Sequence, residues 1–282
     1  MNKRFKVLIM VSRLHGRCPE AVEAEHVYQV YDEIASHFSH TRYKPWPRVA
    51  SFLDNLPNSS IVADIGCGNG KYLGCGSLNG IYLHGSDRCR ELIEIAKKRQ
   101  HDVCLADNFV LPYRDMCFDA VISIAVIHHF ASETRRLLAL QELTRVIRIG
   151  GQLLIYVWAL EQKRKTFSQQ DVFVPWHLQQ QFARPVKFEQ TTAVLSSDET
   201  RLCESQAPMQ SSSSVSEGNH CSEKIVENGT ESDTKFVGSF QRFYHVFKEG
   251  ELPELVSKVS QLRILNSYYD HENWCVIAER KQ

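Results

Sequence analysis

Ile61-Val-Ala-Asp-Ile-Gly-Cys-Gly-Asn-Gly-Lys-Tyr72 is a short apolar run that ends in a loop with glycine at every second position. Residues 61–65 read as a strand buried on both faces, with Asp64 its only polar interruption. Gly66, Gly68 and Gly70 let the backbone turn sharply and approach a ligand closely. A helix is predicted to start near Asn69, aiming free N–H groups at whatever sits over the loop. The spacing is Gly-x-Gly-x-Gly, not the Gly-x-Gly-x-x-Gly that cradles a dinucleotide pyrophosphate, which argues against a nicotinamide enzyme. A second acid, Asp87, closes the next apolar run at 81–85, where a carboxylate can accept both hydroxyls of a ribose.

Downstream, apolar runs and helical stretches alternate. A helix is expected at 90–99, a short strand at 103–106, a strand at 118–123, a helix from Ser132 to Ile147 stopped by Gly150-Gly151, and a strand at 152–158. That alternation predicts an α/β fold around a mostly parallel sheet. Runs at 262–269 and 274–279, joined across 270–273, read as paired strands that finish the sheet with an antiparallel edge. Asp107 and Asn108, ending the third strand, are placed to face an adenine, and Ser123, ending the fourth, is assigned to the same cofactor set. The adjacent His128 and His129 should point different ways, which excludes a shared metal; His128 is expected to line the pocket.

At 282 residues and 43% hydrophobic, the chain can bury a full core. No run approaches bilayer length, so no membrane association is expected. Nine cysteines stand singly, without a Cys-x-x-Cys pair, the usage of a reduced cytoplasmic or nuclear protein with neither disulfide frame nor zinc site. Asn58 and Asn228 open glycosylation triplets that carry no meaning in that compartment. The formal net charge of +0 hides a segregation. Residues 188–234 hold nine acids and two bases, while residues 1–19 hold five bases and no acid. The basic segment 1–20 is read as a variable start, with a mitochondrial presequence as the alternative. The folded body is expected at 21–182 and 237–282, interrupted at 187–236 by a Ser-rich acidic insertion, including Ser211 to Ser214, whose composition predicts disorder.

A helical stripe (Val22, Val27, Val30, Tyr31, Ile34, Phe38) precedes Ser39-His-Thr-Arg-Tyr-Lys-Pro-Trp-Pro-Arg48, where the prolines start a new helix near Trp46. Arg42, Lys44 and Arg48 suit phosphate or carboxylate, against the ordinary reading of a solvated loop.

The Asp-x-Gly-x-Gly-x-Gly pattern followed by Asp87 resembles the S-adenosylmethionine (SAM) site of Rossmann-like methyltransferases, with a seven-stranded sheet. Longer motifs narrow this. Val27-Tyr-Gln-Val-Tyr31, His37 to Pro47, Ile122-Ser-Ile-Ala-Val-Ile-His-His-Phe130, Asp171-Val-Phe-Val-Pro-Trp176, Phe243-Tyr-His-Val-Phe247 and Glu249-Gly-Glu-Leu252 resemble the tRNA wobble-uridine 5-carboxymethyl methyltransferases. That family includes the stand-alone yeast enzyme and the methyltransferase domain of animal AlkB homologue 8. The resemblance covers roughly residues 22–182 and 240–280. It implies transfer of the SAM methyl group to the carboxylate of 5-carboxymethyluridine in the tRNA anticodon loop. Thr41-Arg42 is present here and absent from a paralogue suspected of inactivity, which favours an active enzyme over a silent binding protein; the basic-aromatic motif weighs against a small-molecule substrate. The carboxylate is anionic at neutral pH, with a pKa near ~4, so it needs a cation to orient it rather than a base. Arg42 is the first choice for that cation, with His128 and Arg135 second. Lys44, Trp158, Trp176 and Tyr244 are candidates to hold the tRNA, the aromatics by stacking the wobble base. The resemblance also implies a small zinc-binding activator protein, docking on an edge strand at 101–106.

Overall fold

The computed structural model describes residues 16–75, 80–163, 165, 167–183 and 235–282. The expectations for residues 1–15 and 187–234 lie outside the described residues. The described residues all belong to one compact unit.

The chain enters through α1 (Pro19–Glu23), a π-helical turn (Ala24–Tyr28) and α2 (Gln29–Thr41), which follow one another without a break. Pro47 occupies the first turn of α3 (Pro47–Asp54), where its missing N–H leaves no helical bond unmade. Then come β1 (Ile61–Ile65), β2 (Tyr82–Asp87), α4 (Arg90–Lys98), β3 (Val103–Leu105), β4 (Phe118–Ile124), α5 (Glu133–Val146) and β5 (Ile147–Trp158). Two strands, β6 (Asp171–Gln179) and β7 (Phe236–His245), precede α6 (Glu251–Ser257), β8 (Leu262–Asp270) and β9 (Asn273–Arg280).

Seven strands form one sheet in the order β3-β2-β1-β4-β5-β9-β8. The pairs from β3 to β5 are parallel, and the expected antiparallel ending is the β8–β9 hairpin, with β9 inserted beside β5. Alternate residues of each central strand enter different clusters. Ala63, Val121, Leu153 and Val276 pack with Leu140, Leu143 and Leu255 from α5 and α6. Val62, Ala120, Ile122 and Leu154 pack with Phe52, Leu53 and Ile93 from α3 and α4. Apolar residues on both faces are what helices covering both sides of a parallel sheet require.

Two local expectations need correction. The glycine loop is followed by successive turns through Gly74, not by a helix near Asn69, because Gly70, Leu73 and Cys75 donate to carbonyls only three residues back. Gly150-Gly151 do not stop α5, which ends at Val146; they lie within β5, in a bulge where Phe118 pairs with Ile147 and Ala120 with Gln152. A Cβ on Gly151 would stand 2.6 Å from Ile147 Cγ2 and 2.8 Å from the Asp119 carbonyl, so the bulge requires glycine there. Apart from the main sheet, β6 and β7 pair with each other, antiparallel, as a second sheet. At its open end Gln180 N–H donates to the Lys235 carbonyl at 2.9 Å, drawing the two sides of the long intervening segment to one neck.

The second sheet is tied to α6 through His245, whose Nδ1 and Nε2 each lie 2.6 Å from a carboxylate oxygen, of Asp171 and Glu251 respectively. Burial pushes the imidazole down, but the two carboxylates outweigh it and the net shift is upward. This contribution to stability is therefore complete below the ordinary value of 6.5 and is lost as pH rises through the raised folded value.

Entry of the chain is fixed by Glu23, 0% exposed, which accepts from Arg135 Nε and Nη2 at 2.7 Å each, from Ala131 N–H at 2.9 Å and from Tyr28 OH at 2.8 Å. Removing one partner of such a buried ion pair strands the other. Arg135→Met is expected to cost about 3–5 kcal/mol of unfolding free energy, measured by urea denaturation. A loss under ~1 kcal/mol would show that the pair does not hold α1.

Candidate functional site

A cavity of about 370 Å³ opens over the carboxyl ends of β1, β2 and β4, where parallel sheets bind ligands. Its floor is the glycine loop. Gly66, Gly68 and Gly70 have φ of +83°, +56° and +77°, a region side chains strain to adopt. A Cβ on Gly66 would sit 2.2 Å from Val126 Cγ2, and one on Gly70 2.7 Å from His101 Cδ2. Asp87, on β2, holds the loop from the other side: its carboxylate accepts from Gly68 N–H and Cys89 N–H, both at 2.8 Å. Burial raises its pKa against these bonds.

Asp64 is 1% exposed, and its Oδ2 has no partner. Burial pushes its pKa up to about 7, with the charge of Lys71 opposing. Lys71 lines the same cavity, its ammonium 4.6 Å from the centroids of both Trp46 and Tyr72, and burial pushes it down to about 8 while Asp64 resists. An under-satisfied carboxylate and ammonium in one cavity suit a ligand bearing the opposite pair, the head group of an amino acid. Asp107 and Asn108 line the cavity. Asp107 is ion-paired to Arg88, which lies over Tyr28, and it accepts from Phe109 N–H at 3.0 Å, whereas the amide nitrogen of Asn108 has no partner. Ser123 does not line the cavity; its hydroxyl is wholly buried within β4. That assignment is corrected: its neighbour Ile124 and the turn at Ala125, φ +64°, reach the cavity instead.

Beyond the loop stand cations. Arg42 lines the cavity from the end of α2, and its side chain donates only to the Thr41 carbonyl, at 3.2 Å. Arg242, on β7, lines it too and is 4% exposed. It donates to Tyr244 OH at 2.8 Å, but its Nε has no partner, and among the described residues no carboxylate pairs with either arginine. Their guanidiniums lie 5.8 and 4.7 Å from the ring centroid of Trp176. Lys165, exposed and outside the cavity lining, lies 4.4 Å from the ring centroid of Trp158, and partial desolvation, then the charges of Arg242 and Arg42, lowers its pKa.

His128 is completely buried, and its Nδ1 accepts from Trp158 N–H at 3.0 Å, which puts its proton on Nε2. That Nε2 has no protein partner, and burial holds the ring neutral, far below the usual histidine range. His128 therefore presents a neutral N–H donor to the cavity, not a base. His129 lines the cavity too, but both its nitrogens are committed, Nδ1 donating to the Phe243 carbonyl at 2.8 Å and Nε2 accepting from Tyr31 OH at 3.1 Å. Burial pushes it down to about 3.

Two further assignments are corrected. Arg135 does not reach the cavity, being spent on Glu23 and Glu20. Trp176 does not line it either: its indole N–H donates to His37 Nδ1 at 3.1 Å and its ring backs the two arginines, so it cannot stack a base. Trp158 and Tyr244 do line the cavity but stack on each other, centroids 4.2 Å apart and planes 16° apart. Lys44 is exposed outside it, 5.8 Å over the ring of Tyr43. Arg242, Lys71 and Asn69 are absent from the sequence-based assignment. Arg242 was legible: in β7 it shares the face of Tyr244, two residues on, as the only cation in an apolar-aromatic run.

This sheet order and glycine-loop cavity define a Rossmann-like methyltransferase. A family profile described as a methyltransferase domain matches residues 63–155. A SAM-dependent methyltransferase from Aquifex aeolicus superposes with a TM-score of 0.50, at 14% identity, over 88% of this chain and 97% of that one. The tRNA (carboxymethyluridine(34)-5-O)-methyltransferase of Schizosaccharomyces pombe is 42% identical over 92% of this chain and 97% of that protein. The chain belongs to the tRNA (carboxymethyluridine(34)-5-O)-methyltransferase family. The Xenopus tropicalis protein of that name is 38% identical over 92% of this chain, which spans 41% of its length.

Gly66→Ala is expected to destabilise the fold by about 2–4 kcal/mol, from the clash with Val126 and the positive φ together. Adding Val126→Ala should recover the steric part, roughly half, in the same denaturation assay. No recovery would place the cost in the backbone alone.

Proposed function

We propose that the protein transfers the methyl group of SAM to the carboxylate of 5-carboxymethyluridine at the wobble position of tRNA, giving the methyl ester. The observation that carries this reading is Arg242, a buried guanidinium without a carboxylate partner among the described residues, in the cavity that His128 also lines. Buried charges are ordinarily paired, and a substrate carboxylate completes the pair.

SAM, when bound, supplies an electrophilic methyl group on a positively charged sulfur. In this assignment Asp64 receives its ammonium, Lys71 its carboxylate, Asp87 the ribose hydroxyls, and Asn108 the adenine edge. Arg242 and Arg42 orient the substrate carboxylate, and His128 donates one hydrogen bond to it. The nucleophile arrives ionised, so no residue has to remove a proton. A carboxylate oxygen forms the new bond to carbon, the carbon–sulfur bond breaks, and its electron pair stays on sulfur, leaving two neutral products. The protein's part is alignment and exclusion of water.

The three-residue edge strand β3 has one unpaired side and is the place where we propose that a small zinc-binding activator adds a strand, in the cytoplasm or nucleus.

The reading is tested with tRNA from cells lacking the endogenous methyltransferase, incubated with SAM, with and without the activator, and analysed by nucleoside mass spectrometry. A SAM-dependent wobble ester is expected. SAM binding without ester, activator present, would instead favour a silent binding protein. Arg242→Met should lower kcat/KM by about 100-fold while SAM affinity stays within about 3-fold. Arg242→Lys should recover only part, because it restores charge without the fork.

SAM affinity should be bell-shaped in pH. It falls below about 7 as Asp64 gains a proton and above about 8 as Lys71 loses one. Asp64→Asn should abolish the acid limb, and persistence of that limb in titration calorimetry would reassign it.

A further inference from the structure

The last turn of α2 and the glycine loop are joined by one side chain. Asn69, 2% exposed, donates from Nδ2 to the Arg42 carbonyl at 3.0 Å, to Ser39 Oγ at 3.1 Å and to the Ser39 carbonyl at 3.4 Å. Carbonyls at a helix end lack helical partners, and Asn69 supplies one where α2 stops. Arg42 has left the helical conformation, with φ −131° and ψ 62°, so its direction is set by this bond and not by helix geometry. The joint is itself held from α4's end: Arg99 donates from Nη1 to the Asn69 carbonyl at 2.9 Å and from Nη2 to Ser39 Oγ at 3.0 Å. Arg99 does not line the cavity.

We propose that Asn69 and Arg99 form a clamp through which occupancy of the glycine loop sets the position of Arg42, so that cofactor and anionic substrate bind cooperatively. The backbone that carries the Asn69 side chain is the loop that receives the cofactor. Ordering one orders the other, and by linkage the substrate strengthens cofactor binding by the same factor. Asn69 and Arg99 are positioning residues; they act on the substrate through Arg42. The inference rests on the methyl transfer proposed above for the identity of the ligands, but its test reads binding, so the two can fail separately.

The experiment measures the affinity of the protein for an anticodon stem-loop carrying 5-carboxymethyluridine, with and without saturating S-adenosylhomocysteine. The wild type is expected to bind at least ~5-fold more tightly with the cofactor product present. In Arg99→Ala that factor should fall below ~2, while affinity for S-adenosylhomocysteine alone changes by less than ~3-fold. Asn69→Ala should also bring that factor below ~2, and in an Arg42→Ala background neither change should lower affinity for the stem-loop further, since the group they act through is gone. A wild-type factor near 1, an unchanged factor in Arg99→Ala, or additive losses in the Arg42→Ala background would each overturn the clamp. Absence of the methyl ester with wild-type protein would overturn the reaction and leave this binding result standing on its own.

Discussion

Three alternate residues at positive φ constrain everything around the cavity. Because Gly66 has no side chain, the loop after β1 comes against Val126, in the turn that carries His128. Because Gly68 turns as it does, its N–H meets the Asp87 carboxylate, locking β1's loop to β2. Because Gly70 allows close approach to Ala96 and His101, the loop seats on α4. Asn69, between the last two, is then aimed at α2. A single backbone conformation thus sets the relation between four elements, and only glycine holds it without strain.

The cavity is divided electrostatically. Asp64, Asp87 and Asp107 come from the ends of β1, β2 and β3, with Arg88 beside them paired to Asp107, whereas Arg42 comes from the end of α2, which also contributes Asp32, and Arg242 from β7. This suits a reaction between a cation and an anion that neutralise each other, because each partner meets its own complement before they meet. The chain of bonds behind the cation side is fully directed. Arg242 donates to Tyr244, Tyr244 to Tyr31, Tyr31 to His129, and His129 to the Phe243 carbonyl. Every hydroxyl and ring nitrogen in that series is committed, which leaves His128 as the histidine with a proton to offer the cavity.

The sheet and the glycine loop were legible because their signals are local: β-branched runs, glycines at fixed spacing, and an acid at a strand end. What misled was also local. Ser123 ends an apolar run, but period-two alternation turns its hydroxyl into the sheet. Arg135 was assigned as a spare cation and Trp176 as an aromatic platform, yet their partners, Glu23 and His37, lie more than a hundred residues away in sequence. No spacing rule reaches that far. A shorter but still long separation hid the pairing of β6 with β7, and with it the placing of Arg242 over the indole of Trp176.

The neck between Gln180 and Lys235 gives the second sheet a property of its own. A segment whose two ends are already pinned together by strand pairing can change length at little expense to the body, since closing a loop costs only about 0.6 kcal/mol more for each doubling of its length. The segment between β6 and β7 is therefore where this fold can absorb insertion and loss, and drift in composition, without disturbing the arginine that β7 delivers to the cavity. Divergence among homologous chains can gather at that point while the chemistry on either side of it stays fixed.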